Sequence, residues 1–202
     1  MKNKIVIGLD QSYKDTGISI SYNGTLKKAT HCYTNNLKTN SDKRDKLKET
    51  LELVFNRANN LKEKYNADVI IIIERIRLRS QGFININYIK GIGALNALIV
   101  DLAHKYNFPV YSVDTRAWKS SIVGNSKGKS NPYGFDEKKY PTLQWCVKQG
   151  YEKYIIEPVS PKKKKGVIIR NNSTYTLNDN TADSICISLY GYVKNPKLDL
   201  EH

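Results

Sequence analysis

Three carboxylates in this chain stand where a run of apolar residues stops or starts, and their placement suggests a chemistry. Asp10 closes Ile5-Val6-Ile7-Gly8-Leu9, and Glu74 closes Val69-Ile70-Ile71-Ile72-Ile73. Asp183 follows Asn178-Asp179-Asn180-Thr181-Ala182 and opens an apolar stretch. A charge at the end of a central strand is costly to desolvate unless it is paired or bound to a cation. Clustered carboxylates repel one another, and divalent cations relieve that repulsion. Two Mg²⁺ ions about 4 Å apart, replaceable by Mn²⁺, would bridge a phosphodiester, activating water on one side and stabilising the leaving oxygen on the other. Taken singly, each residue reads as an ordinary strand end emerging into solvent. As an ordered trio on neighbouring elements they read as metal ligands.

The elements that must position them follow from hydrophobic periodicity. Ile5 to Leu9, the alternating segment from Gly17 to Tyr22, and Leu26 to Tyr33 predict an antiparallel meander with an Asn23-Gly24 turn. Leu47, Leu51, Val54, Ala58, Leu61 and Tyr65 recur at helical spacing, which predicts an amphipathic helix opening near Ser41 or Asp42. The β-branched run ending at Glu74 predicts a strand buried on both faces. A helix over 87–106, a strand at 109–113, short helices within 114–123 and 136–150, and a closing helix over 181–193 complete the order. Residues 151–178 read as a basic insertion with a hairpin around Asn171-Asn172. The expectation is one α/β domain over 1–199 with a mixed five-stranded sheet, meander first and parallel strands after. Residues 200–202 fit an expression-tag stub and are set outside it.

Composition bounds the partners. The 202 residues carry a formal net charge of +14, which attracts polyanions; nucleic acid leads and an acidic membrane surface is the rival. Cys32, Cys146 and Cys186 form neither a CxxC pair nor a disulfide framework, so reduced thiols in a cytoplasmic protein are expected. No signal segment and no apolar run of membrane-spanning length is visible. His31, His104 and His202 have no metal-ligand spacing.

Four segments, in order, resemble the RuvC family of Holliday-junction resolvases. Ile7-Gly8-Leu9-Asp10-Gln11-Ser12 with Thr16-Gly17 looks like its first motif, Ile73-Glu74 like its second, and Ala182-Asp183-Ser184 like its last. Arg116-Ala117-Trp118-Lys119 through Val123-Gly124-Asn125-Ser126-Lys127-Gly128 is similar to its basic phosphate-contacting helix and loop. The similarity spans 5–129 and resumes near Asn178. It implies an RNase H-like fold and a homodimer that resolves four-way DNA junctions by paired, Mg²⁺-dependent nicks, in the cytoplasm of a bacterium or phage-infected cell. Asp10, Glu74 and Asp183 would be the ligands. The family carries an acidic residue or His three positions before the last Asp, where this chain has Asn180. Asp179, four residues before Asp183, shares its helix face. Asn180 is then a weak neutral ligand, a divergence, or an inactivating replacement, and Asp179 fills the fourth position or does not.

For DNA contact, Arg75, Arg77 and Arg79 alternate directly after Glu74, which suits phosphate binding as well as it suits a solvated strand extension. Arg116, Lys119, Lys127 and Lys129 gain support from the resemblance. Phe83 is a wedge for the branch point or a core residue, and Lys162 to Lys165 read as solvated lysines. The strongly apolar 87–106 helix, with Gly91 and Gly93, is either an isologous dimer face or a second layer of core. Rival readings are an RNase H-like nuclease for other branched DNA or for RNA, a junction-binding protein that does not cut, and an actin-like ATPase. A second phosphate loop, which the last requires, is absent from the sequence.

Overall fold

The computed structural model describes residues 2–75, 86–124, 131, 134–159, 166–193 and 196–201. Strands β1 (Asn3–Asp10), β2 (Asp15–Tyr22) and β3 (Thr25–Tyr33) form the meander. Its first hairpin turns at Asn23 and Gly24, both with positive φ, the backbone that an Asn-Gly pair adopts at least cost. Helix α1 (Asn40–Tyr65) leads to β4 (Ala67–Glu74), which pairs parallel to β1. Helix α2 (Ile86–His104) leads to β5 (Val110–Val113), parallel to β4. Helix α1 is capped by the Thr39 hydroxyl, which accepts from the Asp42 amide at 3.1 Å, two or three residues earlier than the sequence suggests.

The sheet order is β3-β2-β1-β4-β5-β9. It has six strands where the sequence suggests five. The sixth, β9 (Asp199–Glu201), pairs antiparallel with β5, so Leu200 and Glu201 lie in the sheet opposite Tyr111 and Val110. Three residues are too few to show a strand period, and it is the open edge of β5 that recruits them.

Alternation along β1 and β4 divides the core. Ile5, Ile7, Leu9, Val69, Ile71 and Ile73 pack with α1 and α2. Val6, Ile70 and Ile72 face the other layer, built from α3 (Thr115–Trp118) and the π turn Lys119–Val123 that continues it, α4 (Tyr140–Lys148) and α6 (Asp179–Tyr190). Since side chains alternate with period two, Asp10 and Glu74 fall on the α6 side. Ile92, Leu95, Leu98, Ile99 and Leu102 of α2 are buried within the chain. The exposed remainder of α2 includes Ile86 and Gly93, and among the described residues nothing would lie within 4 Å of a Cβ at the latter.

The 151–178 segment contains a short helix α5 (Glu152–Ile155) and a small antiparallel sheet, β6 (Ile156–Pro158), β7 (Ile168–Arg170) and β8 (Ser173–Leu177), in the order β6-β8-β7. Its hairpin turns at Asn171-Asn172, both left-handed. His31 bridges this sheet to the large one, with Nδ1 at 2.5 Å from Asp15 and Nε2 at 3.0 Å from Glu157. The hydrogen bond that His31 Nδ1 donates to the Asp15 carboxylate raises the His31 pKa despite partial burial. Among the described residues, no helix is long and apolar enough to cross a membrane.

Candidate active site

The close packing of α6 on the sheet builds the site. A Cβ at Gly17 would stand 1.9 Å from the Asn180 carbonyl oxygen, and one at Gly8 would stand 2.4 Å from that of Ser184. Only residues without a side chain allow that approach. Ser19 donates to the Ser184 carbonyl at 2.7 Å and Ser21 to that of Ser188 at 3.2 Å. These bonds satisfy polar groups that the contact would otherwise bury unpaired. Gly17 is the register partner of Asp10, so the first turn of α6 comes down beside the first carboxylate. Asn178 starts that turn, its side-chain oxygen accepting from the Thr181 amide at 2.7 Å.

Asp10, Glu74, Asp179 and Asp183 are thereby near enough to influence one another's charge. Burial first, and then the charges of Asp183, Glu74 and Asp179, push the Asp10 pKa well above the ordinary carboxylate value, with Lys119 opposing. Burial raises Asp183 to about 7, opposed by Lys119 and reinforced by Glu74. The Asp183 side chain is 16% exposed, its Oδ1 is buried, and the Thr142 hydroxyl beside it works against the rise that burial causes. Asp183 Oδ2 lies 3.8 Å from Lys119 Nζ, which in turn sits 5.0 Å over the Trp118 ring. Asp179 is paired with Lys139.

Glu74 is held from two sides. Gln11, buried, clamps its backbone: Nε2 donates to the Glu74 carbonyl at 2.5 Å while Oε1 accepts from the Glu74 amide at 3.0 Å. Its carboxylate accepts from Thr115 Oγ1 at 2.6 Å and from Trp118 Nε1 at 3.2 Å. Gln11, Thr115 and Trp118 are positioning residues that the sequence reading did not single out. The usable signals were an amide directly after the strand-end Asp and a Trp, fully buried here, inside an otherwise basic helix.

Asn180 turns elsewhere. Its Nδ2 donates to the Asp15 carbonyl at 2.8 Å, tying α6 to the start of β2. An aspartate there would set a charge against a carbonyl oxygen and close to the Asp15 carboxylate. Asn180→Asp is therefore expected to destabilise the fold by about 1–3 kcal/mol, read as a lowered denaturant midpoint, and to bring no gain in any activity the site has. A gain in activity would show that position 180 reaches the reacting centre.

Of the basic residues singled out in sequence, Lys119 borders the carboxylates, Arg116 is exposed on α3, and Arg75 is paired with Asp199 of β9. Arg77, Arg79, Phe83, Lys127, Lys129 and Lys162 to Lys165 lie outside the described residues.

The oxygen donors suit a hard divalent cation. Mutual repulsion of Asp10 and Asp183 is the strain such an ion would relieve. Among the described residues no group of three His, Cys, Asp or Glu side chains closes to metal-holding geometry, since Glu74 is drawn toward α3 and Asp179 toward Lys139.

No family model and no curated protein matches the sequence. The layout of sheet and helices is that of the RNase H-like α/β class. Among solved structures, Thermus thermophilus RuvC in complex with Holliday junction substrate is similar over 92% of this chain and 90% of that one, with a TM-score of 0.51 and 11% identity. The same protein's separate structure gives 0.50 and 12% identity, over 92% and 91% of the two chains. The yeast mitochondrial Holliday junction resolvase Ydc2 is similar over 91% of this chain and 75% of that one, with a TM-score of 0.45 and 19% identity. The two RuvC likenesses show that this chain shares the RuvC fold.

Proposed function

We propose that this protein is a metal-dependent endonuclease that resolves four-way DNA junctions by paired nicks. The observation that carries the reading is the proximity of Asp10 and Glu74, at the ends of the two central strands, to Asp183 on α6, where each carboxylate neighbour disfavours ionised Asp10. Asp10 and Asp183 would hold Mg²⁺ or Mn²⁺, with Glu74 and then Asp179 as the remaining candidate ligands. When bound, the ions would supply a nucleophilic water and stabilise the departing oxygen. Lys119 and Arg116 place positive charge on the rim, where phosphate oxygens are attracted and register is fixed without reading sequence. The Thr115 and Trp118 bonds fix the Glu74 carboxylate so that orientation need not be acquired when the substrate arrives. Two-fold junction symmetry calls for two sites in a homodimer, and the exposed face of α2 with Ile86 and Gly93 is the candidate contact.

A second reading, junction binding without cleavage, is favoured by one observation: the Glu74 carboxylate is already satisfied by Thr115 and Trp118. A labelled four-way junction with Mg²⁺ or Mn²⁺, and linear duplex as control, separates the two. Paired nicks near the branch point are expected, falling at least about a hundredfold in Glu74→Gln. Tight junction binding with no cutting would establish the second reading, and indifference to the junction would sink both.

A further inference from the structure

At the other end of the sheet from the carboxylates lies a groove of about 360 Å³ between β2, β3 and the second half of α1, lined by Ile20, Tyr22, Lys27, Lys28, Arg57, Leu61 and Tyr65. The register places Tyr22 opposite Ile5 on β1, five residues before Asp10, about 17 Å along the strand. It is therefore separate from the nuclease site.

Local irregularity shapes it. The β2–β3 register shifts between Ile20 and Ser21: Ile20 faces Lys28 and Ser21 faces Leu26, which leaves Lys27 as the extra residue of a bulge. A bulge re-aims side chains, and here two consecutive lysines line one groove where strict alternation would send them to opposite faces. Arg57 reaches it from α1. Among the described residues no carboxylate pairs with Lys27, Lys28 or Arg57, all exposed, and none lines the groove. The Tyr22 and Tyr65 rings stand 5.0 Å apart at 35°, Lys27 Nζ lies 5.6 Å over Tyr22, and Tyr65 is 38% exposed.

We propose that this groove is a second nucleic-acid contact that takes an unpaired strand, its bases stacking on Tyr65 and Tyr22 and its phosphates on Lys27, Lys28 and Arg57. Aromatic faces beside unpaired cations are how sequence-tolerant single-strand sites are built, because every base has a π-face and every nucleotide a charge. A lipid surface would supply the charge, but a concave groove fits a single strand better than a flat sheet of headgroups. The inference rests on the nuclease reading only in that it too supposes a nucleic-acid partner. On that reading, the groove would hold an arm or a frayed strand remote from the cut.

The test uses the whole chain in EDTA, with a 12-residue oligo-dT carrying 5-iododeoxyuridine. Photocrosslinks at Tyr22 or Tyr65 are expected. Lys27→Ala/Lys28→Ala/Arg57→Ala should weaken oligonucleotide binding by roughly tenfold or more and lower the slope of log affinity against log salt by about 2, at about 0.7 per phosphate contact. Tyr65→Ala should weaken it roughly tenfold with the slope unchanged. Crosslinks confined to other surfaces, or unaltered affinity and slope in the triple variant, would overturn the proposal. So would phosphatidylserine vesicles that bind through these residues while the oligonucleotide ignores them. Junction cleavage run in parallel keeps the questions apart: nicking that depends on Glu74 without groove crosslinks removes only the groove.

Discussion

Asp183→Asn is expected to raise the melting temperature of the metal-free protein at pH 8 while abolishing the cleavage proposed for this site. The Asp183 carboxyl titrates at about 7 in the folded chain, against an ordinary value of 3.8, and burial is the main cause. A pKa raised by folding means that the native state holds the proton more tightly. The associated destabilisation is absent below the unfolded value, grows as pH rises, and is complete above about 7. Moving a carboxyl over that interval corresponds to roughly 4 kcal/mol. Asp10 shares the effect and Lys119 loses a partner in the variant, so a net gain of about 2 kcal/mol is the fair expectation, or about 4–8 °C for a chain of this size. Thermal scans at pH 5 and pH 8 would check it: wild type should lose stability between them, and Asp183→Asn should lose less. Mg²⁺ or Mn²⁺ should recover the wild type at pH 8 and leave the variant unmoved. Equal pH slopes in the two proteins would show that Asp183 is not the strained group.

Among the described glycines, Gly17→Ala should be the most damaging added methyl. The added Cβ would fall 1.9 Å from the Asn180 carbonyl oxygen and 2.9 Å from the Thr181 amide nitrogen. Both are backbone atoms at the start of α6, so no rotamer change makes room and the helix itself must lift. Overpacking in a core costs about 1–3 kcal/mol when side chains can adjust, and here the cost should reach or pass the top of that range, a fall of about 6–12 °C. Lifting the first turn also draws Asp183 away from Asp10, so cleavage should drop further than the unfolded fraction explains. If Gly17→Ala melts with the wild type, the close contact does not hold the site together.

The strand-end placement of Asp10 and Glu74 was legible because it depends on one short run of β-branched and apolar residues each. The order of elements was legible for the same reason, each helix and long strand carrying its own period. What could not be read depends on partners far apart in the chain. Gln11 meets Glu74 across 63 residues, and Trp118 meets it across 44. Asn180 looked like a gap in a metal site because its motif neighbours are acidic. Its real partner is a main-chain carbonyl on β2, which no local pattern announces. The β9 strand and the lysine-bearing bulge escaped for a simpler reason: each is a departure from periodicity, and periodicity was the signal used.

The Gln11 clamp has a bearing on how the site would work over many turnovers. Both of its bonds join a neutral amide to a peptide group, so neither changes when a carboxylate loses a proton or when cations arrive and leave. The contacts of Thr115 and Trp118 with Glu74, of Lys119 with Asp183 and of Lys139 with Asp179 each involve a formal charge. The spacing of Asp10 and Glu74 is thereby insulated from the electrical state of the centre, and the two strands can carry a site that charges and discharges without being pushed apart by it.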